Sequence, residues 1–179
     1  MSRAVGVVPT DGRGSLPFAL LHGESLVAMS AWSVGDAEVR LLDFDTPWSA
    51  VVAAELPLLV HDPLCPGTPA SFLVEAVERA VRDDVVVVGY TGPADSTDED
   101  HDRSGPEAVA SPVVLPVSVI GRLDSWPSLD DLGGWVAHLR EQFEVVFVEA
   151  PAAARRVSDE SDVRLLDASL KTARDTQVR

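Results

Sequence analysis

The sequence predicts an α/β protein built on a mostly parallel twisted sheet with helices on both faces. Three observations carry this reading. Short valine-rich runs recur, as strands buried on both faces require. Segments with the 3.6-residue period of helices separate them. The chain has 179 residues, 46% of them hydrophobic, and a mean hydropathy of +0.11, which is enough apolar material for one core. A single domain over 1–173 is expected, with 174–179 as a frayed tail.

The first strand is read from Ala4 to Val8, ending in the turn-prone Pro9-Thr10-Asp11-Gly12-Arg13-Gly14. Leu58-Leu59-Val60 forms a second strand running into His61-Asp62, and Val85 to Val88 a third that ends at Gly89. Val113 to Val117 and Val145 to Val148 follow, the former interrupted by Pro116, which has no amide for a ladder.

Among the helices, Phe72, Leu73, Ala76, Val77, Ala80 and Val81 fall on one face, with Pro69 near the start where its missing N–H costs little. Ser128 reads as the N-cap of a helix carrying Trp135, Leu139 and Phe143, weakened by Gly133-Gly134. Ser158-Asp159-Glu160 opens a last helix with Val163 and Leu166 inward. Trp32, Trp48, Trp126 and Trp135 are read as core or edge anchors. The run Asp95 to Asp102 is almost entirely polar and is read as a solvated loop, within a reduced arm over 95–111.

Charge narrows the functional classes. Basic side chains number 14 and acidic ones 29, a net charge of −15, so nucleic acid and anionic membrane surfaces are excluded as general partners by repulsion. One cysteine, Cys65, allows neither an internal disulfide nor a thiolate metal cluster. The opening residues are apolar too briefly for a signal sequence, and no run approaches the ~20 apolar residues of a membrane span, so a cytoplasmic location is expected. His22, His61, His101 and His138 are scattered without metal-ligand spacing, and no G-x-S-x-G elbow supports a hydrolase.

In a parallel sheet, ligands collect beyond the carboxyl ends of the strands. The sequence places three groups there: the turn Pro9 to Gly14, the pair His61-Asp62, and Asp95-Ser96. Glycines in such a turn allow backbone amides to wrap a phosphate. The turn is neither a P-loop, which needs G-x-x-x-x-G-K-[ST], nor a G-x-G-x-x-G dinucleotide fingerprint.

Several segments, taken in order, carry a family resemblance. Leu59-Val60-His61-Asp62-Pro63-Leu64-Cys65-Pro66 resembles the L-V-H-D-A-A-R-P of the methylerythritol-phosphate cytidylyltransferases of non-mevalonate isoprenoid biosynthesis. Pro9 to Gly14 resembles their P-A-A-G-x-G loop, and Asp102-Arg103 ahead of Ala110-Ser111-Pro112 their D-R ahead of L-T-P. Arg155-Arg156-Val157-Ser158 with Asp162-Val163 resembles I-K-V-T with its downstream E-D-L. The resemblance implies a three-layer, Rossmann-like nucleotidyltransferase fold of the GT-A kind. It also implies transfer of CMP from CTP to methylerythritol phosphate with Mg2+.

Carried over by position, the resemblance gives Arg13, Asp62 and Arg156 catalytic roles, with Asp62 near the metal. Asp95, Ser96 and Arg103 fall at substrate-binding positions, and Gly12, Gly14 and Ser49 at nucleotide-binding ones. CTP or another nucleotide is the implied ligand, and a homodimer through the arm, or pairing with a true family enzyme, the implied assembly.

The chain also departs from the pattern. Phe18 stands where the family has the lysine that lies against the phosphates, and Asp11 puts a carboxylate into the loop. Thr46 replaces the arginine of an R-x-x-S-V element, Leu64-Cys65 an arginine of the H-D motif, and the only lysine is Lys171. These changes oppose CTP binding and point to a degenerate member acting as a binding or regulatory module. The alternatives are a minimal active nucleotidyltransferase using Arg13 for phosphate and Asp62 for magnesium, and a structural interaction protein using the acidic loop. What fills the first turn, an open hollow or Leu16 and Phe18, bears directly on the choice.

Overall fold

The computed structural model describes residues 1–91 and 109–177. The chain runs β1 (Ala4–Val7), a 3-10 turn (Leu16–Phe18), β2 (Leu20–Leu21), β3 (Glu24–Ser25), α1 (Leu26–Asp36), β4 (Val39–Leu41), α2 (Trp48–Ala53), β5 (Leu58–Val60) and α3 (Ala70–Asp83). It continues through β6 (Val86–Tyr90), β7 (Val109–Leu115), α4 (Val117–Ile120), α5 (Leu132–Gln142), β8 (Val145–Glu149), a second 3-10 turn (Ala152–Ala154) and α6 (Glu160–Gln177).

Six strands form one sheet in the order β4-β1-β5-β7-β6-β8, and β2 and β3 form a separate hairpin. Only β7 runs antiparallel to its neighbours, β5 and β6. The carboxyl ends of the other five strands therefore share one edge with the amino end of β7, which places Ser111 beside the residues following β5.

Alternation along the strands divides the core into two slabs, as side chains of period two demand. Val5, Leu58, Val60, Val86, Val88, Val113 and Leu115 face Trp48 and Val51 of α2, Ile120 of α4, and Trp135 and Leu139 of α5. Ala4, Leu59, Val87 and Val114 face Val34 of α1 and Leu73, Ala76, Val77 and Ala80 of α3. The result is the three-layer α/β sandwich expected. Each buried Leu or Val contributes about 1.5–3 kcal/mol through the water it sheds.

Several expectations need correction. The strand read at Val113 to Val117 ends at Leu115, because Pro116 lacks a ladder donor; with φ −70° and ψ 161° it leads straight into α4. The third strand runs on through Gly89 to Tyr90, since a side chain at Gly89 would lie 2.7 Å from the Ser111 carbonyl oxygen and glycine lets β7 approach.

The N-cap of α5 is Asp131, whose carboxylate accepts from the Gly134 amide at 3.0 Å, while the Ser128 hydroxyl donates to Asp130. At α6, Asp159 takes the Asp162 amide at 2.9 Å, and the helix extends to Gln177, into the segment read as a tail. Val81 is exposed, as is Trp32, which anchors no core. Among the described residues, no helix is long and apolar enough to cross a membrane.

Candidate functional site

The turn after β1 sits at the shared carboxyl edge. Gly12 and Gly14 both take positive φ, 73° and 58°, which turns the backbone so that the intervening Arg13 side chain points inward. Arg13 is buried, its side chain only 2% exposed. Its Nη1 donates to the Asp11 carbonyl at 2.6 Å and the Leu129 carbonyl at 3.0 Å, and its Nε to Asp62 Oδ1 at 2.9 Å. The turn is thus filled by its own arginine. Leu16 packs instead with Leu21, Leu26, Leu64 and Val157 beneath α6, and Phe18 is 59% exposed.

Asp62 follows β5 and is the hub of the site. Oδ1 accepts from Arg13 and from the Leu64 amide at 2.9 Å, and Oδ2 accepts from Arg156 Nε at 3.1 Å. Arg156 arrives from the far end of the chain because the Val157 amide donates to the Leu64 carbonyl at 2.7 Å, bringing the segment after the second 3-10 turn against the Asp62 loop. Its side chain is 43% exposed, whereas that of Asp62 is 3% exposed. Burial pushes the Asp62 carboxyl upward, but Arg13, the Leu64 amide and Arg156 together outweigh it and hold the group below the usual carboxylate range.

A second polar group backs this hub. The Ser111 hydroxyl accepts from the Asp62 amide at 2.8 Å and pairs with His61 Nδ1. With one proton and two lone pairs, this hydroxyl can accept the Asp62 amide and still pair with either tautomer of the ring. Nε2 is buried and has no hydrogen-bond partner among the described residues. Burial lowers the His61 pKa to about 4, against the opposing pull of Asp62, so the ring is neutral. Cys65 is buried beside these groups, and burial reinforced by Asp62 pushes its thiol up to about 12.

Three of the residues singled out in the sequence therefore meet: Arg13, Asp62 and Arg156, with Gly12 and Gly14 framing the first. Ser49 stands apart, exposed on the first turn of α2, with no hydrogen bond to this group. Asp95, Ser96 and Arg103 lie outside the described residues, as do the acidic run and most of the reduced arm.

Sequence reasoning missed that the three charged groups bind one another. It also missed the segment at 129–130, which closes over the turn: Asp130 lies so near Gly12 that a side chain there would come within 2.6 Å of its Cβ. The amides of Gly12, Gly14 and Ser15 have no acceptor among the described residues and stay at the surface.

A magnesium ion does not fit this arrangement. Both Asp62 oxygens face guanidinium groups, and among the described residues no cluster of three or more His, Cys, Asp or Glu side chains could hold a metal.

No protein-family profile matches the chain, and no curated protein sequence does either. Solved structures do. A 4-diphosphocytidyl-2C-methyl-D-erythritol synthase from Anaerococcus prevotii superposes with a TM-score of 0.60 at 11% identity, over 94% of this chain and 99% of the other. The 2-C-methyl-D-erythritol 4-phosphate cytidylyltransferase from Thermus thermophilus gives 0.55 at 17% identity, over 96% and 100%. A nucleotidyl transferase from Methanothermobacter gives 0.58 at 17%, over 94% and 97%. At these identities the likeness is one of fold: the chain has the Rossmann-like architecture of nucleotidyltransferases.

Proposed function

We propose that this chain is a degenerate nucleotidyltransferase of the methylerythritol-phosphate cytidylyltransferase type, which has lost CMP transfer and serves as a binding or regulatory module. One observation carries the reading: Asp62 is held by both Arg13 and Arg156. Phosphoryl transfer needs cations aimed at the phosphoryl oxygens and a carboxylate free for metal. Here the two cations and the carboxylate neutralise one another, and Arg13 is also fastened to two carbonyls. No lysine precedes Lys171 to take over the role, and exposed Phe18 offers no charge.

The test is direct. CTP and methylerythritol phosphate with Mg2+ should release no pyrophosphate, and isothermal titration should show no micromolar CTP binding. Release at ordinary enzyme rates would overturn the reading.

A second reading, a minimal active nucleotidyltransferase, draws on a different observation. The exposed amides of Gly12, Gly14 and Ser15 and the exposed part of Arg156 remain open to an anion. Pyrophosphate release abolished by Arg156→Ala would favour it.

A further inference from the structure

The two edges of the main sheet differ. β4 offers three residues, with Arg40 among them, a short charged edge of the kind that discourages strand addition. β8 offers Val145-Val146-Phe147-Val148-Glu149, and no described strand pairs with its outer side. Its first four residues are all strong strand formers and all partly exposed.

The ladder identifies the unpaired groups. The Val86 amide donates to the Glu144 carbonyl at 3.0 Å and the Ala150 amide to the Tyr90 carbonyl at 2.7 Å, with Val88 opposite Phe147. Even-numbered residues therefore turn their backbone groups toward β6. Val145, Phe147 and Glu149 turn theirs outward.

We propose that β8 pairs antiparallel with β8 of a second copy of this chain, about a twofold axis at Phe147, joining two sheets into one. In this register Phe147 meets its own counterpart and Val145 meets Glu149 of the second copy, so every outward N–H and C=O finds a partner. Glu144 falls opposite Ala150, and no carboxylate faces another. A parallel arrangement would set Glu149 against itself, which like charges oppose. Pro151, whose missing amide falls on the outward side, ends the pairing.

The flanking surface has matching symmetry. Beside Val148, α3 presents Glu75 and Glu78 from its earlier half and Arg79 and Arg82 from its later half along one shallow groove. Glu78 also pairs with Arg3, and the two arginines share the single carboxylate of Asp83, which leaves that half with a net positive charge. A twofold axis perpendicular to the sheet lays α3 antiparallel to its copy, so the acidic half of each helix meets the basic half of the other. On the opposite face Arg140 stands 5.6 Å over the Phe147 ring and covers the apolar centre of the seam. The proposal is independent of whether the site at Asp62 retains any activity.

Sedimentation equilibrium of the full chain tests it, with a dimer expected to form at concentrations of about 1–100 μM. Val145→Pro removes an outward N–H without touching the β6 ladder and should yield a monomer. Arg82→Glu and Glu75→Arg, both at exposed positions, should each weaken association by about tenfold or more, and combining them should restore it. Should Val145→Pro lose its fold by circular dichroism, the charge-swap pair decides. A wild-type monomer at about 100 μM, or a dimer indifferent to the swaps, overturns the proposal.

Discussion

The carbonyl of Leu129 accepts a hydrogen bond from Arg13 Nη1 at 3.0 Å, joining residues 116 positions apart in the chain. That bond ties the segment before α5 to the turn after β1, and at Gly12 a side chain would lie only 3.0 Å from the Asp130 backbone. Gly12→Ala should therefore cost about 1–3 kcal/mol, because the new methyl meets Asp130 at 2.6 Å in a backbone conformation that alanine resists. Urea unfolding of wild type and variant measures it; an unchanged midpoint would show that the segment moves aside freely.

The three-way contact at Asp62 predicts an asymmetry between its partners. Asp62→Asn leaves the buried Arg13 without its counter-charge and should cost about 3–5 kcal/mol. Arg156→Gln removes a half-exposed guanidinium while Arg13 still satisfies the carboxylate, so about 1 kcal/mol is expected. Equal losses in chemical denaturation would mean that burial does not rank these contacts.

Stability should fall on mild acidification. His61 titrates near 4 in the fold and near 6.5 when unfolded, so below about 6.5 the unfolded chain gains a proton that the native state refuses. The stabilisation is complete above pH 6.5 and drains away as the pH falls toward 4, a loss of about 3 kcal/mol. Asp62, depressed in the fold, adds a further loss in the same direction at lower pH, beginning near the ordinary carboxylate pKa. Denaturation curves at pH 7.5, 5.5 and 4.5 follow the first window, and His61→Gln should flatten it.

Cys65 should resist thiol–disulfide exchange in the native protein. It is fully buried and its thiol is pushed up to about 12, so almost no thiolate exists at neutral pH. Reaction with a chromogenic disulfide should be negligible until urea unfolds the chain, and rapid native labelling would contradict this placement.

The parts of the fold legible in the sequence were those with strong local signals. The valine runs at β1, β5, β6 and β8 and the amphipathic face of α3 are such cases, with α3 beginning just after Pro69. No element was assigned over α1, and its pattern explains why: it buries Ser30 between Leu26 and Val34 and exposes Trp32, so hydropathy points the wrong way on both faces. At the site, motif order brought Arg13, Asp62 and Arg156 together on paper. Their mutual pairing was not legible, because it depends on side-chain direction and on the Val157–Leu64 hydrogen bond, neither of which leaves a periodic trace.

Trp48 and Trp126 meet edge to face with centroids 5.1 Å apart, and each indole N–H donates to a carbonyl, Leu123 for the first and Thr46 for the second. Two fluorophores thus bridge α2 and the stretch that leads to Leu129, whose carbonyl holds Arg13. Emission from this pair offers a label-free optical gauge of movement in that stretch, read over buried Trp135 and solvent-facing Trp32, of which a soluble quencher silences the second.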